Sequence, residues 1–163
     1  MDLIQFIPPV IATVGSIQMA VIDIKQFRIP NKNLLITTFL VALTMTLVSI
    51  IDGKYTALLL AILGSIMSLL LFLFVHAINP KGLGMGDVKF AGLLGLTMSW
   101  LAFPVALRGF VFAFAATTIF AFFAMIFKRV RKNTLIPFAP FMVLGLLVVE
   151  FQYFAKLISF PYF

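Results

Sequence analysis

Residues 55–78, YTALLLAILGSIMSLLLFLFVHAI, run for 24 positions without one Asp, Glu, Lys or Arg. A stretch of this length and hydropathy, wound as an α-helix, rises far enough to cross a ~30 Å hydrocarbon core. Outward from it the pattern recurs, and apolar spans can be drawn at about 4–22, 34–51, 87–103, 108–127 and 136–156. Hydrophobic residues make up 63% of the chain and charged residues only 10%, whereas a soluble domain carries about 25% charge. The sequence therefore predicts an all-α integral membrane protein, a bundle of about six transmembrane helices forming one domain over residues 1–163. The period-two alternation of a membrane β-barrel is absent. No soluble domain, long linker, low-complexity stretch or clear repeat interrupts the spans.

Composition also narrows the chemistry. With no Cys, disulfides, cysteine-ligated zinc and a cysteine nucleophile are excluded. The single His76 has no carboxylate near it in sequence, so no metal and no cofactor is expected. The net charge of +7 raises the question of nucleic acid, but the basic residues fall between the apolar spans, where they act as topology signals. The bilayer is the expected partner, not nucleic acid. The first span has no basic lead, is broken early by Pro8-Pro9 and has no small-residue cleavage site before Asp23, so it is expected to be a retained helix.

Nine of the Lys and Arg residues fall in the first, third and fifth connections: Lys25, Arg28, Lys32, Lys81, Lys89, Lys128, Arg129, Arg131 and Lys132. Only Lys54, Arg108 and Lys156 fall on the other side. The positive-inside rule then places both termini outside and the odd-numbered connections in the cytoplasm. Lys128 to Lys132 suits contact with anionic lipid.

Against this background the acidic residues stand out. There are five, and two of them, Asp23 and Asp87, fall at the same cytoplasmic edge. A charged group at a membrane boundary is a functional-site candidate by default. Counting back from Asp23 at helical spacing gives Ala20 or Met19, Ser16 and Ala12; counting on from Asp87 gives Ala91 and Gly95, with Gly92 beside them. Such small-residue stripes let helices approach closely in lipid, and are expected here to bring the two helices and their carboxylates together. Gly82, Gly84 and Gly86 supply backbone freedom just before Asp87, suited to an extended peptide lying against main chain. The plainer alternatives are a helix cap for Asp87, pairing of Asp23 with Lys25 or Arg28, and an ordinary turn for the glycines. Two neighbouring carboxylates cannot both ionise, so one holds a proton while the other can take one from water. That is sufficient for peptide hydrolysis without metal or covalent intermediate.

The segments Asp23-Ile24-Lys25-Gln26-Phe27-Arg28-Ile29-Pro30-Asn31, Gly84-Met85-Gly86-Asp87-Val88-Lys89 and Ile136-Pro137-Phe138-Ala139-Pro140-Phe141 resemble, in order, the type IV prepilin peptidases, membrane aspartic proteases of the GxGD kind. The resemblance implies cleavage of short basic leaders from prepilin-like precursors at the cytoplasmic face of the inner membrane, in the service of pilus or secretion assemblies. It assigns catalysis to Asp23 and Asp87, and Gly84 and Gly86 match the family's glycines. Ala139 stands where many members have Gly, which is expected to matter only for local packing. Longer members carry a cytoplasmic insertion after the first helix, often with paired cysteines, and also N-methylate the product. This chain has neither, and resembles the short, peptidase-only kind that serves Flp/Tad-type pili or pseudopilin systems.

Among the other residues, Lys89 and Lys25 are expected to shape the site or meet substrate, with topology anchoring as the simpler role for the basic cluster. Pro30-Asn31 is expected to start the second helix, Asp52-Gly53-Lys54 to form a turn on the far side, and His76 and Asn79 to make a packing hydrogen bond. Glu150 falls inside the last span, near the outer interface or paired with another helix. Two other functions compete. A proton- or cation-coupled transporter would favour midplane carboxylates and internal symmetry. A noncatalytic scaffold would need neither Asp.

Overall fold

The computed structural model describes residues 3–80, 82–103, 105–127 and 136–159. A 3₁₀ turn at Leu3–Phe6 leads into six helices: α1 (Ile7–Gln26), α2 (Asn31–Asp52), α3 (Tyr55–Ile78), α4 (Met85–Leu101), α5 (Ala106–Ile126) and α6 (Ala139–Ser159). No strand occurs among the described residues. Lys81 and the basic run from Lys128 to Lys132 lie outside them.

The spans expected from hydropathy are all present as helices, but their ends differ. α1 runs four residues past its expected end at residue 22, and α2 begins three residues before residue 34. The first connection therefore shrinks to the four residues Phe27–Pro30. Polar side chains such as Lys25 and Lys32 are compatible with helix; hydropathy marks where the lipid stops, not where the hydrogen-bond ladder stops. The turn itself is made by Phe27, in the left-handed region at φ 51°, and by the extended Pro30 ahead of Asn31. At the other end of α2, Gly53 adopts φ 67° and ends the helix, as a left-handed C-terminal residue does.

Five of the helices are long and apolar enough to cross a membrane. The exception is α4, with 17 residues. Every residue of α4 from Phe90 to Leu101 is buried, and the helix packs against all five others, α3 most extensively. A helix that is apolar on every side belongs in the interior, and here it forms the bundle's axis. The outer helices show the reverse. Leu35, Phe39, Ile51 and Phe74 are more than half exposed and Phe151 is 74% exposed, a surface that only lipid accommodates.

Close approach of α3 and α4 depends on glycine. A Cβ at Gly95 would overlap the Ser68 side chain and lie 2.8 Å from the Gly64 carbonyl oxygen; one at Gly64 would overlap Ser99. The Gly109–Gly145 crossing of α5 on α6 is equally tight. The sequence pattern anticipated small-residue packing at Gly92 and Gly95 but with the wrong partner. Both face α3, through Leu69, Ser68 and Gly64, not α1. On α1 the expected stripe is the buried face: Ala12, Ser16, Met19, Ala20 and Asp23 all point inward.

Polar contacts hold one end and the middle. At the end away from Asp23, Lys54 pairs with Asp52 at 3.2 Å and donates to Gln5 Oε1 at 2.8 Å, while the Trp100 indole donates to the Gln5 carbonyl at 3.1 Å. Midway along the bundle, Thr13 of α1 donates to Glu150 Oε1 of α6 at 2.7 Å. Glu150 is thus paired with another helix, one of the two roles expected for it.

Because the atoms facing Gly95 include backbone, Gly95→Val cannot be relieved by a rotamer change. It is expected to lower stability by about 1–3 kcal/mol. Thermal unfolding in detergent beside wild type checks this; an unchanged midpoint would mean that α3 and α4 are not held at this distance.

Candidate active site

At the end of the bundle that carries Lys25, Arg28, Lys32 and Lys89, the last turn of α1, the α1–α2 turn and the first turn of α4 enclose a cavity of about 280 Å³. Both Asp23 and Asp87 line it, one from each helix, and they lie close enough for the charge of one to act on the other. Gly84, Gly86, Arg28 and Lys89 also line it. Asp23 and Asp87 stand far apart in the sequence and on different helices, α1 and α4; only the tertiary fold joins the two carboxylates.

Asp23 occupies a position that its own helix opposes. It lies in the last turn of α1, where the helix dipole disfavours negative charge. The bundle compensates from outside. The N-terminus of α6 is directed at it, with the Ala139 amide donating to Asp23 Oδ2 at 3.1 Å and the Phe138 amide alongside. An opposed helix end is thereby matched by a favourable one, and a helix N-terminus is a natural anion site. The local sequence suits this. Pro140 sits in the first turn of α6, where its missing N–H costs nothing and its fixed φ favours helix initiation. The Asp23 main chain is used too, its carbonyl accepting the Phe27 amide at 2.8 Å and closing the turn. Asp23 is only 5% exposed.

Asp87 is held differently. It is the third residue of α4, and its Oδ2 accepts the amide of Gly84, the residue before the helix, at 3.0 Å. This is the reciprocal half of a capping box. The capping role weighed for Asp87 is therefore real, and coexists with its place in the cavity wall. Gly86 fits where it does because the α1–α2 turn comes close; a Cβ there would lie 3.3 Å from the Ile29 Cβ. The Leu83 carbonyl, one atom group before the Gly84 amide, is bonded to His76 Nδ1 at 2.7 Å, so the packing hydrogen bond expected of His76 is present.

The basic residues divide. Lys89 lines the cavity, and its ammonium donates to Asn31 Oδ1 at 3.2 Å, bridging α4 to the start of α2. Lys25 is exposed and is not part of the cavity wall; Arg28, three residues on, takes that place. Lys81 lies outside the described residues. Sequence reading missed Ala139. Its contribution is a backbone amide, which residue type does not advertise. The available signal was the bracketing of the position by Pro137 and Pro140.

Residues 10–127 match the type IV leader peptidase family. The chain is also similar to a prepilin leader peptidase/N-methyltransferase of Bacillus subtilis (strain 168), with 28% identity over 158 residues. That match covers 96% of the chain but 60% of the relative's length. No solved structure matches the chain.

The double use of Asp87 separates experimentally. Asp87→Ala removes the acceptor for the Gly84 amide and is expected to destabilise the fold by about 1 kcal/mol, whereas Asp87→Asn keeps an oxygen there and stays within about 0.5 kcal/mol of wild type. Equal unfolding midpoints for the two variants in detergent would remove the cap from the account.

Proposed function

The chain belongs to the type IV leader peptidase family, and on that premise we propose that it is a membrane aspartic endopeptidase that removes the short leader from prepilin-like precursors. The observation that carries the reading is the meeting of Asp23 and Asp87 in one cavity at the basic end of the bundle. The positive-inside rule assigns that end to the cytoplasm, in the inner membrane of the cell, and both termini to the opposite face. The substrates are pilin or pseudopilin precursors, with Flp/Tad-type pilins among them, and the product is a processed subunit for a pilus or secretion assembly.

In this mechanism one carboxylate of the pair is ionised and the other protonated. A water lies between them. The ionised group takes a proton from the water as its oxygen attacks the scissile carbonyl carbon, and the protonated group donates a hydrogen bond to the carbonyl oxygen. Collapse of the tetrahedral intermediate breaks the C–N bond, and the leaving amine takes up the proton. No metal or covalent intermediate enters. Gly84 and Gly86 leave main chain open at the cavity wall, where an extended, unwound leader junction can lie, and Arg28 and Lys89 supply positive charge at its rim.

Two features favour peptidase chemistry alone, without N-methyl transfer. The chain contains no Cys, and Phe27–Pro30 leaves no room between α1 and α2 for the insertion that longer members carry. Transport fits less well. The facing carboxylates are at one end of the bundle, and Glu150 is engaged by Thr13.

Co-expression with prepilins from the same genome, read by intact mass, tests the chemistry. Wild type is expected to release the leader, while Asp23→Asn and Asp87→Asn each lower the rate by about 100-fold or more at normal protein levels. Full cleavage by either variant would end the two-carboxylate mechanism. Sidedness is tested by Gln26→Cys, since the chain has no other Cys to label. An impermeant maleimide should modify it in inverted vesicles and not in intact spheroplasts; the opposite pattern would reverse the topology.

A further inference from the structure

His76 does not line the cavity, yet its hydrogen bond ends on the peptide unit that holds Asp87. The Leu83–Gly84 peptide is bonded on both sides. Its carbonyl oxygen accepts from His76 Nδ1 at 2.7 Å, and its N–H donates to Asp87 Oδ2 at 3.0 Å. A carbonyl only accepts, so the imidazole proton must reside on Nδ1. In a trans peptide the C=O and N–H point in opposite directions across a rigid plane. A donor fixed on the oxygen therefore fixes the direction of the N–H. It also polarises the amide, which strengthens the bond that the amide donates to a carboxylate.

The surroundings make this unit a lever, not a loose loop. Leu83 is buried, and its amide is tied back to the Asn79 carbonyl at 3.3 Å. Gly82 is held to the same residue twice, its amide lying 3.0 Å from the Asn79 carbonyl oxygen and 3.2 Å from Oδ1. The turn joining α3 to α4 is thus pinned at Asn79, and His76, in the last turn of α3, sets the plane of its final peptide. α3 is in turn the helix packed most closely on α4 through Gly64 and Gly95.

We propose that His76 is a positioning residue, which acts through the Leu83–Gly84 peptide to aim the Asp87 carboxylate into the cavity. The inference rests on the reading of Asp87 as one of the catalytic pair. His76 touches neither substrate nor water in this account; its imidazole orients an amide, and the amide orients the carboxylate.

Three variants test it. In His76→Asn the side-chain amide nitrogen, attached to Cγ like Nδ1, can still reach the Leu83 oxygen. In His76→Gln the donor is carried one atom further, and His76→Leu has none. Leu and Gln are expected to lower kcat of leader cleavage by about tenfold with KM little changed, the loss of one well-placed hydrogen bond, and Asn to restore it to within about threefold. A second readout needs no activity. In glycine-¹⁵N-labelled protein, the Gly84 amide resonance, identified by its disappearance in Gly84→Ala, should move upfield in the Leu and Gln variants but not in Asn. Asp87→Asn should shift the same resonance. If Leu does not fold, Gln against Asn carries the comparison. Equal kcat for Gln and Asn, or a Gly84 resonance indifferent to position 76, would overturn the proposal and leave His76 as a staple of the turn. Cleavage by Asp87→Asn at the wild-type rate would instead overturn the catalytic reading of Asp87, and the resonance would still decide whether His76 and Asp87 share a peptide.

Discussion

A carboxylate at the C-terminal end of a membrane helix is opposed by its own backbone, and the site in this protein depends on how Asp23 is reconciled to that position. The amide of Ala139 donates to it, a second hydrogen bond between α1 and α6 besides that of Thr13 to Glu150. Each partner alone is unfavourable: an anion at a helix C-terminus, and helix N-terminal donors without acceptors. Together each satisfies the other. The cavity beside them is lined from α1, the α1–α2 turn and α4, and α6 acts on it through Asp23. Asp23 belongs to α1, but its orientation belongs to α6.

The second constraint is the central helix. α4 can be short because it does not face lipid, and can be central because glycine and alanine let neighbours approach its backbone. Its N-terminus carries Asp87 into the cavity, while α3 holds it laterally through Gly64, Gly95 and the serines beside them. The arrangement separates tasks along the chain. The polar contacts of Gln5, Lys54 and Trp100 close the end remote from the cavity, and the carboxylates lie where the helix ends leave backbone exposed.

Much of this is legible in the sequence. Hydropathy gave six helices in order, because apolar composition over 20 residues has one common solution in lipid. The rarity of acidic residues and the positive-inside count put Asp23 and Asp87 on one edge, and the structure gathers them at one end of the bundle. What was not legible has a common cause. Side-chain pattern reports which residues prefer burial but not against what, so the stripe at Gly92 and Gly95 was matched with α1 when it receives α3. The same limit applies to Lys25 and Arg28, neighbours in composition and charge, of which only Arg28 reaches the cavity. Backbone donors are more opaque still. Ala139 matters through an N–H that every non-proline residue has, so the segment around it stood out for its resemblance and its prolines but not for this bond. Helix ends were displaced because lysines at the lipid boundary continue a helix that hydropathy has already ended.

The hydrogen bond between Thr13 and Glu150 carries a consequence for biogenesis. Glu150 lies about 16 Å along α6 from Ala139, roughly the depth of the bilayer midplane. As a lone segment leaving the translocon, α6 would bring an acidic side chain to the middle of the hydrocarbon, at about 3 kcal/mol on insertion scales. That penalty falls once Thr13 is beside it. α6 therefore enters lipid more readily beside α1, which precedes it in the chain and carries its partner. Membrane integration of α6 thus becomes a test of whether α1 has been correctly placed.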